Sequence, residues 1–448
     1  MSNLEEKNMT QQEEIQANVD EVMRKYDRES NVRIWEGVPK ILVNSVLIGF
    51  SLYCIISTLF FNMLDQVRLT TFMGLVIIMG YLTYPAKKGV MKVNYMPWYD
   101  IVLMVLGAAA FFYYAIKAPD LLTTRLKTKL NDPMYVIVGL VGLLVMCELC
   151  RRSVGLPILC VAAIFVGYTI WFYVKDGKLL SNVIHELFYN ENGILATPVN
   201  VCAKYIVVFI IFGAFLEKTG ISEFFIALAN AMTGRFAGGP AKVAVISSAL
   251  CGMVSGSSVG NTVTTGSMTI PMMKKTGYDK NFAGAVEAAA STGGQIMPPI
   301  MGAAAFLMAE YMGVPYSDII VRAILPACLY FLGIFLSVHL EAKKLGLKGL
   351  SKDQLPELKE LLKESYLLIP LILLIYLVCS NTHTMQFSAA VSIAATIGVG
   401  ILSNIHRRIR HGRAMHTGEG TTNAPFRFTN ILEALENGGR SCISVAVA

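Results

Sequence analysis

Apolar residues along this chain gather into long runs separated by short polar stretches. A helix needs roughly 20 apolar residues to cross a bilayer. Runs that approach or reach this length lie at Ile41–Met63, Thr70–Ala86, Trp98–Ile116, Met134–Cys150, Leu156–Tyr173 and Pro198–Leu216. Further runs lie at Asn281–Ala309, Ile319–Leu340, Ser365–Cys379 and Met385–Ser403. Pro39, Pro157 and Pro198 stand at or near span starts, where a missing N–H costs little. The pattern predicts an all-α fold, a polytopic helical membrane protein of about ten spans.

One stretch departs from the pattern. Between Lys242 and Pro299, two short apolar runs, Val243–Gly256 and Thr262–Met273, flank Ser257-Ser258-Val259-Gly260-Asn261. Neither run is long enough to span. Together, over 241–273, they predict a re-entrant hairpin that dips into the bilayer and returns. Non-helical backbone at that depth is tolerated only where protein or a wet cavity surrounds it, so a polar tip there points to an ion or solute site. The next run is interrupted by Ser291-Thr-Gly-Gly-Gln-Ile-Met-Pro-Pro299, where paired glycines and paired prolines break the helical ladder. A broken helix facing a hairpin tip closes a cation cage from two sides.

The tip chemistry suits a hard cation. Ser257, Ser258, Asn261 and Thr262 supply neutral oxygens, and small neighbours let backbone come close. Carbonyls and hydroxyls fit sodium, with Thr292, Gly293 and Gly294 as partners on the broken helix. Amides at the start of a half-helix fit a carboxylate, which makes Ser258, Asn261 and Thr262 candidate substrate contacts. The competing reading is tight helix packing by small residues. Glu287 lies within the broken helix, where an acid is costly and by default functional. It is either a proton or ion-path residue or a cap for a neighbouring half-helix.

Composition narrows the class. The chain is 54% hydrophobic and only 15% charged, and its mean hydropathy is +0.54. Soluble proteins carry about 25% charged residues. The formal charge of +7 sits in inter-helix loops, which excludes nucleic acid as the natural partner and sets topology instead. With the N-terminus inside, the loops at 87–92, 151–152, 274–280, 343–348 and 407–413 fall inside, and all are basic. The loop at 117–133, with Lys117, Arg125, Lys127 and Lys129, falls outside and disagrees. Residues 1–36 carry no apolar core and read as a cytoplasmic N-terminal segment. The nine cysteines mostly sit inside apolar runs, and Cys147-Glu-Leu-Cys150 has no second pair to make a metal site. No His, Lys or acid accompanies the tip serines, so an enzyme is not expected. No phosphate loop is present to couple ATP.

A weaker repeat runs through the chain. Leu180–Phe188 precedes the span at Pro198, and Phe428–Glu436 precedes an apolar start at Cys442. Each begins with a Ser or Thr cap, then Asn, then an amphipathic turn. The topology gives them opposite orientations, a mark of inverted-repeat secondary transporters. The second repeat stops at Ala448, so the expectation is a fragment lacking a second hairpin.

Gly238-Gly-Pro-Ala-Lys-Val-Ala-Val-Ile-Ser-Ser248, Ser255-Gly-Ser-Ser-Val-Gly-Asn261, Thr269-Ile-Pro-Met-Met273, Ala285–Gln295 and Pro298–Phe306 carry a resemblance. They resemble the fused membrane subunit of a tripartite ATP-independent periplasmic (TRAP) transporter of the TAXI branch. Lys25-Tyr-Asp-Arg-Glu-Ser-Asn31 resembles the start of such fused permeases. The resemblance covers nearly the whole chain and is strongest over 198–345. It implies a small four-helix domain at 37–150 and a large transport domain at 151–448. It implies sodium-coupled import of an organic acid (a small carboxylate) across a bacterial or archaeal inner membrane, delivered by a periplasmic solute-binding protein. It also implies elevator motion, and a sodium site from Ser257, Ser258, Asn261, Thr292, Gly293 and Gly294. Gly260 stands where relatives are expected to carry Ala. The alternative class is a proton-coupled secondary carrier that works without a binding protein, with Glu287 as its proton site.

Overall fold

The computed structural model describes residues 31–61, 63–87, 92–123, 132–175, 180–190, 193–350, 355–411 and 426–448. The expected N-terminal segment lies outside the described residues up to Ser30, as do Arg125, Lys127 and Lys129 of the discordant loop. Among the described residues there are helices and no strands. A single isolated bridge joins Ile34 and Val93.

Among the described residues, eight helices are long and apolar enough to cross a membrane. They are α1 Gly37–Phe60, α2 Asp65–Thr83, α3 Trp98–Thr123, α4 Pro133–Ser153, α5 Leu156–Lys175, α7 Thr197–Glu217, α13 Tyr316–Lys344 and α16 Met385–His411. These match eight of the predicted runs. The run at 281–309 is instead two helices, α11 Lys280–Gly294 and α12 Ala303–Met312, because the ladder breaks at the predicted Gly and Pro pairs. The run at Ser365–Cys379, a 3₁₀ turn followed by α15 Ile369–Cys379, falls short of a span. At 1.5 Å per residue it reaches about 22 Å, against a hydrocarbon core of about 30 Å. Shorter elements among the described residues are α6 Leu180–Ile184 with a π turn His185–Tyr189, α8 Ile221–Thr233, α14 Leu358–Leu362 and α17 Phe428–Val447, with α9 Gly239–Ser255 and α10 Ser258–Thr276 between α8 and α11.

By contact, the chain divides into two compact units. One comprises the residues up to Lys204 together with Gly439–Ala448, the other Tyr205–Gly438.

The first unit is tied at one end by buried charge. Asp100 at the start of α3 is fully buried and pairs with Arg33 and with Arg152 Nη2, the latter at 2.8 Å. Arg152 also holds Glu148 at 2.8 Å and lies 4.6 Å over the Tyr81 ring. Arg33 donates to the Tyr95 carbonyl at 2.8 Å, which ties the 93–95 loop to the same cluster. Lys87 and Lys92 are exposed beside these residues in the sequence, so the basic loops share this end. At the other side of the bundle, the π turn packs against α3 and α4. Tyr189 Oη donates to the Tyr135 carbonyl and Tyr114 Oη to the Tyr189 carbonyl, both at 2.8 Å.

The second unit holds the hairpin. Its arms are α9 Gly239–Ser255, of 17 residues, and α10 Ser258–Thr276, of 19 residues. Gly238 opens α9 with a left-handed φ of 68°, and Pro240 sits in the first turn, where it costs no hydrogen bond. Gly256 ends that arm at φ 61°, also left-handed, a conformation that glycine adopts without strain. The open end is anchored by a core of Ala241, Ala244, Val245, Met273, Tyr278, Ala283, Val286, Val338 and Ala342, so α13 braces both arms and α11. Lys274, Lys275, Lys280, Lys343 and Lys344 are all exposed around this end.

The second amphipathic segment differs from expectation. Leu180–Ile184 is separated from α7 by a turn, but Phe428–Val447 is one unbroken helix. The physical reason is packing. Gly438 and Gly439 do not break α17, because each fits where a side chain would strike a neighbour, Ile211 at 3.0 Å and Ser51 Oγ at 2.9 Å respectively.

Candidate functional site

The turn of the hairpin is only Gly256 and Ser257. The predicted five-residue tip is shorter because Ser257 caps α10, accepting the Gly260 N–H at 3.2 Å. Ser258 to Asn261 therefore form the first turn of α10. The helix carries Asn261, Thr265 and Thr269 along one face, four residues apart, and all three are buried.

That face meets α9 and α11. A Cβ on Gly294 would stand 2.7 Å from the Gly252 Cα and 3.4 Å from Asn261 Nδ2. The hairpin and the broken helix thus touch backbone to backbone, with Asn261 alongside. The loop after α11 wraps the tip. Ile300 donates to the Met253 carbonyl at 3.3 Å, and the Met301 carbonyl lies 3.1 Å from where a Gly256 Cβ would be. Gln295 Nε2 donates to Ser258 Oγ at 3.2 Å. Tyr316 holds the loop, donating to the Pro299 carbonyl at 3.0 Å and stacking on Phe306 at 4.4 Å.

Asn261 is 1% exposed and divided in its bonding. Its Nδ2 donates to the Ser248 carbonyl at 2.8 Å, which fixes the amide orientation. Its Oδ1 is buried with no hydrogen-bond partner. A buried amide oxygen without a donor is costly unless something else meets it. An oxygen-seeking cation does so, and the carbonyls of the adjoining turn add to such a set.

The other predicted cation residues divide. Gly293 and Gly294 are both buried, Gly294 beside Asn261 and Gly293 against Tyr330 and Phe331. The carbonyls of Thr292, Gly293 and Gly294 accept the amides of Gln295, Ile296 and Met297 at 3.2, 3.1 and 3.2 Å, each leaving a second lone pair. The Thr292 side chain is exposed and bonds its own helix at Ala288. Ser257 and Ser258 are half-buried at the turn. Thr262 donates to the Ser258 carbonyl at 2.8 Å.

Glu287 is fully buried in a cradle of hydroxyls. Oε1 accepts Ser248 at 2.7 Å, Ser291 at 3.0 Å, and Thr265, while Oε2 accepts Thr269. Its partners are hydroxyls from α9, α10 and its own helix, not the backbone amides of a half-helix end, so the capping alternative is replaced. Ser248, Thr265, Thr269, Ser291 and Gln295 are absent from the sequence-based candidates. The four-residue spacing 261/265/269 and 287/291 was the available signal.

Residues 141–448, more than half of the chain, match the family model described as "Tripartite ATP-independent periplasmic transporter, DctM component". The chain belongs to this family. It is similar to the C4-dicarboxylate TRAP transporter large permease protein DctM of Vibrio cholerae, at 26% identity over 60% of this chain and 56% of the relative. It is similar to the isethionate TRAP transporter permease protein DctMQ of Oleidesulfovibrio alaskensis, at 25% identity over 74% of this chain and 49% of the relative. The sialic acid TRAP transporter permease protein SiaT of Haemophilus influenzae is 25% identical over 68% of this chain and 47% of its own length. The chain spans about half the length of the curated relatives it matches. Membership and the eight apolar helices among the described residues make the chain a multi-pass membrane protein of the TRAP permease family.

Proposed function

We propose that this chain is the membrane part of a sodium-coupled TRAP transporter that imports a small carboxylate handed over by a periplasmic binding protein. The observation that carries the reading is the buried, unpartnered Oδ1 of Asn261, a residue whose amide lies at the contact of hairpin and broken helix. The cation set is Asn261 with Ser257, Ser258 and the carbonyls of Thr292, Gly293 and Gly294. The exposed Thr292 side chain takes no part in it. Ser258, Asn261 and Thr262 lie at the substrate side. The relatives' printed substrates include C4-dicarboxylates, isethionate and sialic acid, which are organic acids. The match of the family description to 141–448 supports a small membrane part at 37–150 fused to a large one at 151–448. The chain sits in a bacterial or archaeal inner membrane with its N-terminus cytoplasmic, as the exposed lysines at one end of the hairpin unit favour. The TAXI branch and an elevator motion of hairpin plus broken helix complete the proposal.

The test is uptake by the complete reconstituted transporter supplied with its loaded binding protein. Uptake is expected with an inward sodium gradient and not with choline in its place. Equal uptake in choline removes sodium coupling.

One observation favours a second reading, a proton-coupled carrier that needs no binding protein: Glu287 is a buried acid among hydroxyls that can pass a proton. In that case Glu287→Gln abolishes the pH dependence of uptake. Unchanged pH dependence rules it out.

A further inference from the structure

Glu287 makes no contact with the proposed cation oxygens, yet its bonds lead to them. Among the described residues no Lys or Arg pairs with it. Its carboxylate is instead the meeting point of three helices, through Ser248 on α9, Thr265 and Thr269 on α10, and Ser291 on α11. The Ser248 and Thr265 hydroxyls also touch each other at 3.0 Å.

Two of these contacts end on Asn261. The Ser248 carbonyl takes an Asn261 Nδ2 proton at 2.8 Å, which fixes the plane of the amide and with it the position of Oδ1. Thr265 Oγ1 lies 2.8 Å from the Asn261 carbonyl, one helical turn back. The carboxylate thus holds the hydroxyl of Thr265, which lies against the Asn261 carbonyl, and that of Ser248, whose own carbonyl orients the Asn261 amide. An outer group that orients a metal-binding oxygen is worth substantial affinity without touching the ion.

We propose that Glu287 is the positioning residue for the cation oxygen of Asn261, acting through Ser248 and Thr265. The proposal rests on the sodium reading above. It assigns Glu287 neither the ion nor a transported proton.

The cradle tolerates removal of the carboxylate. Thr265 has the Asn261 carbonyl at 2.8 Å and Thr269 has the Thr265 carbonyl at 3.0 Å, so both hydroxyls keep an acceptor on their own helix. In Glu287→Gln one acceptor oxygen and the charge are lost, which loosens the tie between helices and with it the aim of Asn261. The purified full-length protein in detergent is therefore a fair subject, with thermal unfolding followed against sodium and potassium as the ionic-strength control. Sodium is expected to stabilise the wild type, and Asn261→Ala is expected to lose that stabilisation. Glu287→Gln is expected to raise the half-saturating sodium concentration about tenfold. Ser248→Ala, the second variant, should raise it in the same direction if Glu287→Gln does not fold. A purely structural role would lower the unfolding temperature equally at every sodium concentration and leave half-saturation unmoved. That result, or wild-type half-saturation in both variants, overturns the proposal while sodium binding stands. A wild type indifferent to sodium overturns the sodium reading itself.

Discussion

Gly252 and Gly294 bring two backbones together where any side chain would collide, so the contact is only as good as its smallest residues. Gly294→Val should push α11 off the hairpin and cost about 1–3 kcal/mol of stability, as overpacked cores do. Uptake should fall further than the amount of protein in the membrane, measured by quantitative blotting against transport. Equal falls would mean the contact serves folding alone. The neighbouring amide of Asn261 is the proposed sodium contact. Asn261 as a polar residue buried at the hairpin turn was legible in the sequence, because polar side chains between runs too short to span have few uses. The hydroxyl cradle was less legible. Ser248, Thr265, Thr269 and Ser291 look like small packing residues one at a time, and only the fold brings four of them onto one carboxylate.

Helix ends and turns decide the element scale. The π turn His185–Tyr189 is held by tyrosines from α3 and α4, and His185 is buried in it with Nε2 unpartnered. Burial pushes the His185 imidazole below its ordinary value, and Glu186 pulls weakly the other way. A buried neutral histidine contributes its full stability above the unfolded value of 6.5 and loses it as pH falls through the lower folded value. Acidification from neutral should therefore lower the unfolding temperature, and His185→Gln should flatten that slope. An unchanged slope contradicts the assignment. The buried Arg152 offers a second check. Arg152→Met leaves Asp100 with Arg33 alone and should cost about 3 kcal/mol, read as a lower melting temperature in detergent. Element existence was largely visible in the sequence, because eight of the ten apolar runs are helices long enough to span among the described residues. Boundaries were not. Ser257 capping α10 shortened the tip to two residues, and Gly438–Gly439 passed through α17 without a break because tertiary contacts require their smallness.

At the scale of the molecule, the hairpin and broken helix form one braced body within their unit. The core through Val338 and Ala342 fastens the open end, and the 295–302 loop clasps the tip. A body braced in this way suits the proposed motion, in which the hairpin carries a solute across the membrane. The central claim is that sodium, held by Asn261, drives that movement. Its most direct test is uptake by the complete reconstituted transporter with its binding protein, wild type beside Asn261→Ala, as external sodium is exchanged stepwise for choline. The expected result is uptake that rises with sodium in the wild type and stays near background in Asn261→Ala at every sodium concentration. An Asn261→Ala protein with the wild-type sodium curve would contradict it.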